Sequence, residues 1–101
     1  IRRVTVSGDS MLPTFADGKR LLFHAAGHTH DRENLAKLER LVNRIVLIER
    51  ESYPGIFFIK RVKSIQGNRI WVEGDNAQAS TDSRTWGVLL PSEIVAIAFR
   101  R

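Results

Sequence analysis

The chain has 101 residues, enough for one hydrophobic core and too few for a second domain. Hydrophobic residues make up 43%, an ordinary share for a globular chain, and there is no cysteine, which excludes disulfides and a cysteine nucleophile. The 16 Lys plus Arg outweigh 11 Asp plus Glu, giving +5; apart from the pairs Arg2-Arg3 and Arg100-Arg101 these charges are scattered, and with no RNA-binding aromatic box or zinc spacing they read as a solvated basic surface.

In chain order, Arg2 to Val6 is an extended run and a first strand. Ser7 to Gly18 follows as a loop, with Pro13 and Gly18 as breakers. Lys19 to His24 is a second strand whose apolar part is Leu21, Leu22 and Phe23. Ala25 to Asn34 is polar and loop-like. It contains His28-Thr29-His30-Asp31, and two histidines and an aspartate so close could bind a metal. No second ligand cluster completes such a site, so an exposed loop without metal is the expectation. Leu35, Leu38, Leu41 and Val42 recur at helical spacing, which predicts one short helix from Glu33, packed on the core or serving as a lid.

Arg44 to Glu49 is a strand with Ile45, Val46, Leu47 and Ile48 in a row. Ser52-Tyr53-Pro54-Gly55 is a turn. Ile56 to Ser64 is a strand, Gln66-Gly67-Asn68 a hairpin turn and Arg69 to Glu73 the returning strand. Gly74 to Gly87 has few periodic apolar residues and is expected to be a loop, with Trp86 as a packing anchor and Gly87 at a bend. Ile94 to Phe99 is a last strand. Many short strands and turns predict a mostly β fold, a small antiparallel barrel or coiled sheet in a single domain spanning residues 1–101. No apolar run approaches the length needed to span a membrane, and no signal peptide is visible.

Two residues stand out chemically. Ser10 sits between the turn Ser7-Gly8-Asp9 and Met11-Leu12-Pro13. Gly8 permits a sharp bend there, and Pro13 biases Leu12 away from helix. A serine on such a bend can present both its Oγ and its own N–H, a nucleophile and an oxyanion donor together. Serine in such a stretch can equally be a plain turn residue. Lys60 lies in a strand whose side chains alternate, so Ile56, Phe58, Lys60 and Val62 share one face. A lysine on an apolar face loses proton affinity through burial. It would need to fall about three units from about 10.4 to work as a base near neutrality. The plain alternative is a stem packed on apolar surface with its ammonium in water.

Taken together, three segments resemble the catalytic region of a type I signal peptidase. That family carries an S-M-x-P-T box, matched by Ser10-Met11-Leu12-Pro13-Thr14; a K-R-V box, matched by Lys60-Arg61-Val62; and a G-D-N-x-x-x-S-x-D-S-R-x-x-G box, matched from Gly74 to Gly87. The resemblance runs from about Val4 to Gly87. It implies the small coiled antiparallel sheet of the signal peptidase catalytic core. It implies Ser10 as nucleophile and Lys60 as general base, with Ser80 orienting the lysine and Asp82 and Arg84 forming a supporting salt bridge. The Ser10 N–H would be one half of the oxyanion hole. Many members have a serine two residues before the nucleophile that supplies the other half; here that place is Gly8, and the second donor from the Gly8 region is unassigned. Gly18-Lys19 and Asn43-Arg44 stand where the family often has Gly-Asp. The large extra domain of some members has no room in this chain.

The implied substrate is a precursor protein or leader peptide, bound extended beside Thr5 to Gly8, with small side chains just before the cut. No cofactor and no nucleic acid are expected. The secretory leader peptidase is one reading; the compact relatives that trim the leader of nickel-type superoxide dismutase are another. A self-cleaving domain of the LexA or UmuD kind uses the same dyad and cuts an Ala-Gly or Cys-Gly bond upstream of the serine, whereas the only Ala-Gly in this sequence, Ala26-Gly27, lies downstream of Ser10. A non-catalytic basic β module is the fourth reading. The chain begins only nine residues before Ser10, so an upstream anchor stays open. With one, the expected place is a membrane, facing away from the cytoplasm; without one, a soluble cytoplasmic protein.

Overall fold

The computed structural model describes residues 1–27 and 33–100. The His28-Thr29-His30-Asp31 stretch lies outside them. Six strands form one sheet: β1 (Arg2–Thr5), β2 (Arg20–Ala25), β3 (Ile45–Glu49), β4 (Phe57–Gln66), β5 (Arg69–Glu73) and β6 (Ile94–Ala98). Their order is β1-β2-β6-β3-β4-β5, and every neighbouring pair is antiparallel. The C-terminal strand β6 therefore joins two halves, the β1–β2 hairpin and the β3–β4–β5 meander. Two short helices complete the fold, α1 (Glu33–Glu39) and α2 (Ser83–Trp86). No helix among the described residues is long and apolar enough to cross a membrane.

The apolar run in β3 explains its central place. A strand apolar at every position is covered on both faces. Ile45 and Leu47 enter one core cluster with Val6, Met11, Leu21, Phe23, Ala96 and Ala98. Val46 and Ile48 point the other way, into a second cluster with Val62, Ile70, Val72, Leu89 and Ile94. Leu38 and Leu41 close over this second cluster, so the α1 segment packs on the core. The side chain of Leu35 lies outside the described set.

Two expectations need correction. The sheet is not a closed barrel: it has free ends at β1 and β5. It is strongly coiled all the same. In a flat sheet β1 and β4 would stand about 19 Å apart, four strand spacings of about 4.8 Å. Yet the Arg2 guanidinium lies 4.7 Å over the Phe57 ring. Bulges between Leu47 and Ile48 and between Val62 and Ser64 add the local twist that curling needs. Second, the Gly74 to Gly87 stretch is not all loop. It contains a 3₁₀ turn at Ala77–Ala79 and then α2, started by Asp82, whose side chain accepts from the Arg84 amide. Apolar periodicity cannot reveal a helix of one turn.

Leu47 is 1% exposed at the centre of the sheet. Leu47→Ala should lower unfolding free energy by about 2–5 kcal/mol. The exposed Lys37→Ala should stay within about 0.5 kcal/mol of wild type. Urea unfolding followed by circular dichroism checks both.

Candidate active site

The site forms where the curled sheet brings two unpaired strand edges together. Just after β1, Val6 donates to the Lys19 carbonyl at 2.7 Å and accepts from the Gly18 amide at 2.8 Å. Antiparallel residues alternate in the direction of their backbone groups, so Thr5 and Ser7 turn theirs to the other, free edge. In β4, Phe57 to Lys60 pair with β3. Pairing with β5 begins only at Arg61, which leaves the far edge of Phe57–Lys60 without a strand. A cleft of about 200 Å³ runs between these edges. Val4 to Ser7, Ser10 and Met11 line one side, and Leu47 with Phe57 to Lys60 the other.

Ser10 and Lys60 thus border one cleft. Lys60 is 4% exposed, and its Nζ donates to Ser80 Oγ at 3.0 Å. Ser80 Oγ in turn donates to Asp82 Oδ2 at 2.6 Å. A hydroxyl has one proton to give. Because Ser80 gives its proton to Asp82, it can only accept from the lysine. A neutral amine held this way keeps its lone pair for another partner, and the cleft that Lys60 lines is where Ser10 stands.

Burial pushes the Lys60 pKa below its ordinary value; Asp82 opposes this and Arg84 adds to it. Between the lowered and the ordinary values the unfolded chain binds the extra proton, so stability rises with pH across that window. Asp82 is fully buried. Burial alone would raise its pKa, but hydrogen bonds from Arg84, Ser80 and the Gly74 amide outweigh it and hold the carboxyl well below the usual range. The Arg84 guanidinium grips it through Nη2 at 2.6 Å and Nε at 3.0 Å.

The Ser10 loop is tied to the same stretch. The Ser10 carbonyl accepts from the Asn76 amide at 2.8 Å, and the Asn76 side chain donates to the Asp9 carbonyl at 3.1 Å. Gly74 fits between the two: a Cβ there would lie 2.6 Å from the Ser10 carbonyl oxygen and 2.7 Å from Ser80 Cβ. No side chain can stand at 74 without moving one of them. Asp75 accepts both Arg61 Nε at 2.8 Å and Nη2 at 2.9 Å, and also Thr14 Oγ1 at 2.5 Å. Its pKa is lowered: desolvation works the other way, but Arg61 and Thr14 prevail. The roles of Thr14, Arg61, Gly74, Asp75 and Asn76 escape sequence reasoning, although all five stand in the three boxes. Their partners are far apart in the chain, and spacing alone does not pair them.

The oxyanion question can be narrowed. The Gly8 amide donates to Asp17 Oδ1 at 2.8 Å, so it is already committed. Gly8 itself has φ of +83°, a conformation that favours glycine. The Ser10 amide donates no hydrogen bond among the described residues. That leaves it available to a ligand oxygen. Among the described residues no group of three His, Asp or Glu could hold a metal. No protein-family model matches the chain, and a comparison with curated proteins returns no match.

Asp82 receives only donors, so Asp82→Asn places an amide NH₂ against them. The loss at neutral pH should be about 1–3 kcal/mol, as for a buried acceptor turned against its donors. An acid with a depressed folded pKa stabilises above its ordinary value, about 3.9, and loses that stabilisation as pH falls below it. The wild-type and variant stabilities should therefore converge on acidification. Urea unfolding from pH 7 to pH 2 measures the gap.

Proposed function

We propose that this chain is a serine endopeptidase of the signal peptidase kind, in which Ser10 attacks and Lys60 moves the protons, removing a leader from a precursor protein. The observation that carries the reading is the buried Lys60, held by a serine that cannot donate to it, in the cleft that Ser10 also lines. An extended peptide can enter between the free edges and bond to the backbone of Thr5 and Ser7, adding a strand where the sheet lacks one.

Neutral Lys60 takes the Ser10 Oγ proton as Oγ bonds to the scissile carbonyl carbon. The carbonyl oxygen gains the electron pair and meets the Ser10 N–H. The intermediate collapses, the C–N bond breaks, and the leaving amine takes the proton from Lys60. Water enters, gives a proton to Lys60 and adds to the acyl carbon. Ser10 Oγ then leaves and recovers its proton. Ser80 keeps the amine aimed throughout, and its bond to Asp82 keeps Ser80 from turning round.

The Ala26-Gly27 bond is not placed for self-cleavage. The Ala26 amide donates to the Val95 carbonyl at 3.1 Å, and Ala26 packs against the second core cluster rather than lining the cleft.

Incubation with leader-bearing precursors is the direct test. Wild type should cut; Ser10→Ala and Lys60→Ala should each lose at least about 1000-fold in kcat/KM, as nucleophile or base removal does. Cleavage surviving either change ends the dyad assignment. The rate should climb with pH as Lys60 deprotonates, with a midpoint below the ordinary lysine value of about 10.4. A profile flat from mildly acidic to alkaline pH would exclude a lysine base.

A further inference from the structure

One buried contact on the far side of α2 has no part in the reaction just described. Trp86 ends α2, four residues after Asp82 starts it. Its amide donates to the Asp82 carbonyl at 2.8 Å. Its ring meets Phe58 edge-on, with centroids 5.0 Å apart. Phe58 stands on β4 two residues from Lys60, on the same face. The one-turn helix is thus fixed to the lysine strand at both ends, by Asp82 through Ser80 and by Trp86 through Phe58.

Arg50 covers Trp86. Its guanidinium carbon lies 4.8 Å from the ring centroid, and 5.9 Å from that of Tyr53. Arg50 Nε is buried and has no hydrogen-bond partner among the described residues. The nearest carboxylate is Glu93, with Oε2 3.9 Å away, beyond hydrogen-bond reach. Glu93 is itself buried and gives its oxygens to the backbone amides of Glu51 and Leu90. The arginine is therefore held over the indole by cation–π attraction, an arrangement that a planar guanidinium suits better than an ammonium.

We propose that the Arg50–Trp86 stack positions the general base: it clamps α2 against β4 and so keeps Ser80 and Asp82 closed over Lys60. Arg50 and Trp86 are positioning residues, since neither lines the cleft. The inference rests on the proposed dyad for its meaning in catalysis, but the clamp itself can be read without substrate. The charged groups facing Lys60 are Asp82 and Arg84, both from the α2 segment. The strand opposite, β3, presents Val46, and the nucleophile loop presents uncharged Ser10. Loosening α2 therefore changes everything ionic around the lysine at once, and it admits water. Burial is the largest influence on Lys60, so water entry should dominate and return the amine toward ordinary behaviour.

The chain has four lysines, Lys19, Lys37, Lys60 and Lys63, few enough to follow by NMR with ¹³Cε-labelled lysine, Lys60→Met assigning the signal. Trp86→Ala should raise the Lys60 midpoint by about half a pH unit or more. Arg50→Lys should shift it the same way by less, and Trp86→Phe should restore it. Should Trp86→Ala not fold, Arg50→Lys carries the test with the same sign. In cleavage assays the acid limb should move up with the midpoint and kcat should fall at neutral pH while KM holds. A folded Trp86→Ala or Arg50→Lys protein whose Lys60 titrates as in wild type overturns the proposal, whatever stability has been lost. Wild type that cuts no precursor would sink the protease reading alone, because the titration uses no substrate.

Discussion

Five hydrogen bonds converge on the Asp82 carboxylate, from the Gly74 amide, the Ser80 hydroxyl and three nitrogens of Arg84. The rest of the site depends on that convergence. An ionised carboxylate can only accept. It therefore decides the direction of the Ser80 hydroxyl, and the hydroxyl decides what Lys60 can do. A serine free to rotate could donate to the neutral amine and occupy its lone pair. Bound to Asp82, it can only receive from the lysine. The depressed pKa of Asp82 keeps this polarity across neutral pH. A buried charge is commonly a poor source of stability, even with a partner. Here the Asp82 carboxylate, paired with the more exposed Arg84, fixes the sense of a hydrogen-bond chain, which apolar packing cannot do.

The sheet contributes a second constraint. An open sheet of six strands has edges to manage. At one end, Leu89 bridges to Ile70 and blunts β5. At the other, the edge of β1 is left exposed and is curled to face the unpaired start of β4. A missing strand is thus held open beside Ser10. The unpaired start of β4 and the site have one cause: β5 ends at Glu73, opposite Arg61, and the chain then leaves the sheet to form the Gly74–Asp82 stretch. Had β5 continued, it would have covered Lys60.

Much of this is legible in the sequence where the signal is local. The run Ile45 to Ile48 reads as a strand, and it is one. The alternation around Lys60 places that lysine on an apolar face, and it is 4% exposed. Other features depend on residues distant in the chain. Asp75 pairs with Arg61 and Thr14, across 14 and 61 positions. Arg50 reaches Glu93 and Trp86 from beyond the end of β3. Nothing in local composition distinguishes an arginine stacked on tryptophan from an exposed one. The openness of the sheet is likewise hidden, since closure depends on where β5 stops rather than on how many strands there are. The α2 turn is hidden too, because one helical turn carries no period to detect.

The pair Lys60-Arg61 shows how much two adjacent residues can organise. Consecutive side chains on a strand point to opposite faces. Lys60 turns to Ser80. Arg61 turns the other way, to Asp75 and to the Asn43 carbonyl at 2.8 Å. Asp75 also holds Thr14 of the Ser10 loop. Lys60 and the tether of the Ser10 loop therefore leave the same point of the same strand. Their separation is set by one peptide unit, about the stiffest spacer a protein has. The Ser10 loop is anchored at three places on the 74–76 stretch, through its Asp9 and Ser10 carbonyls and through Thr14. Motion of β4 as a body then carries Lys60 and the Ser10 loop together. What can still vary is the approach of Ser80 and Asp82 from the far side, and that is the side on which α2 and its arginine-backed tryptophan sit.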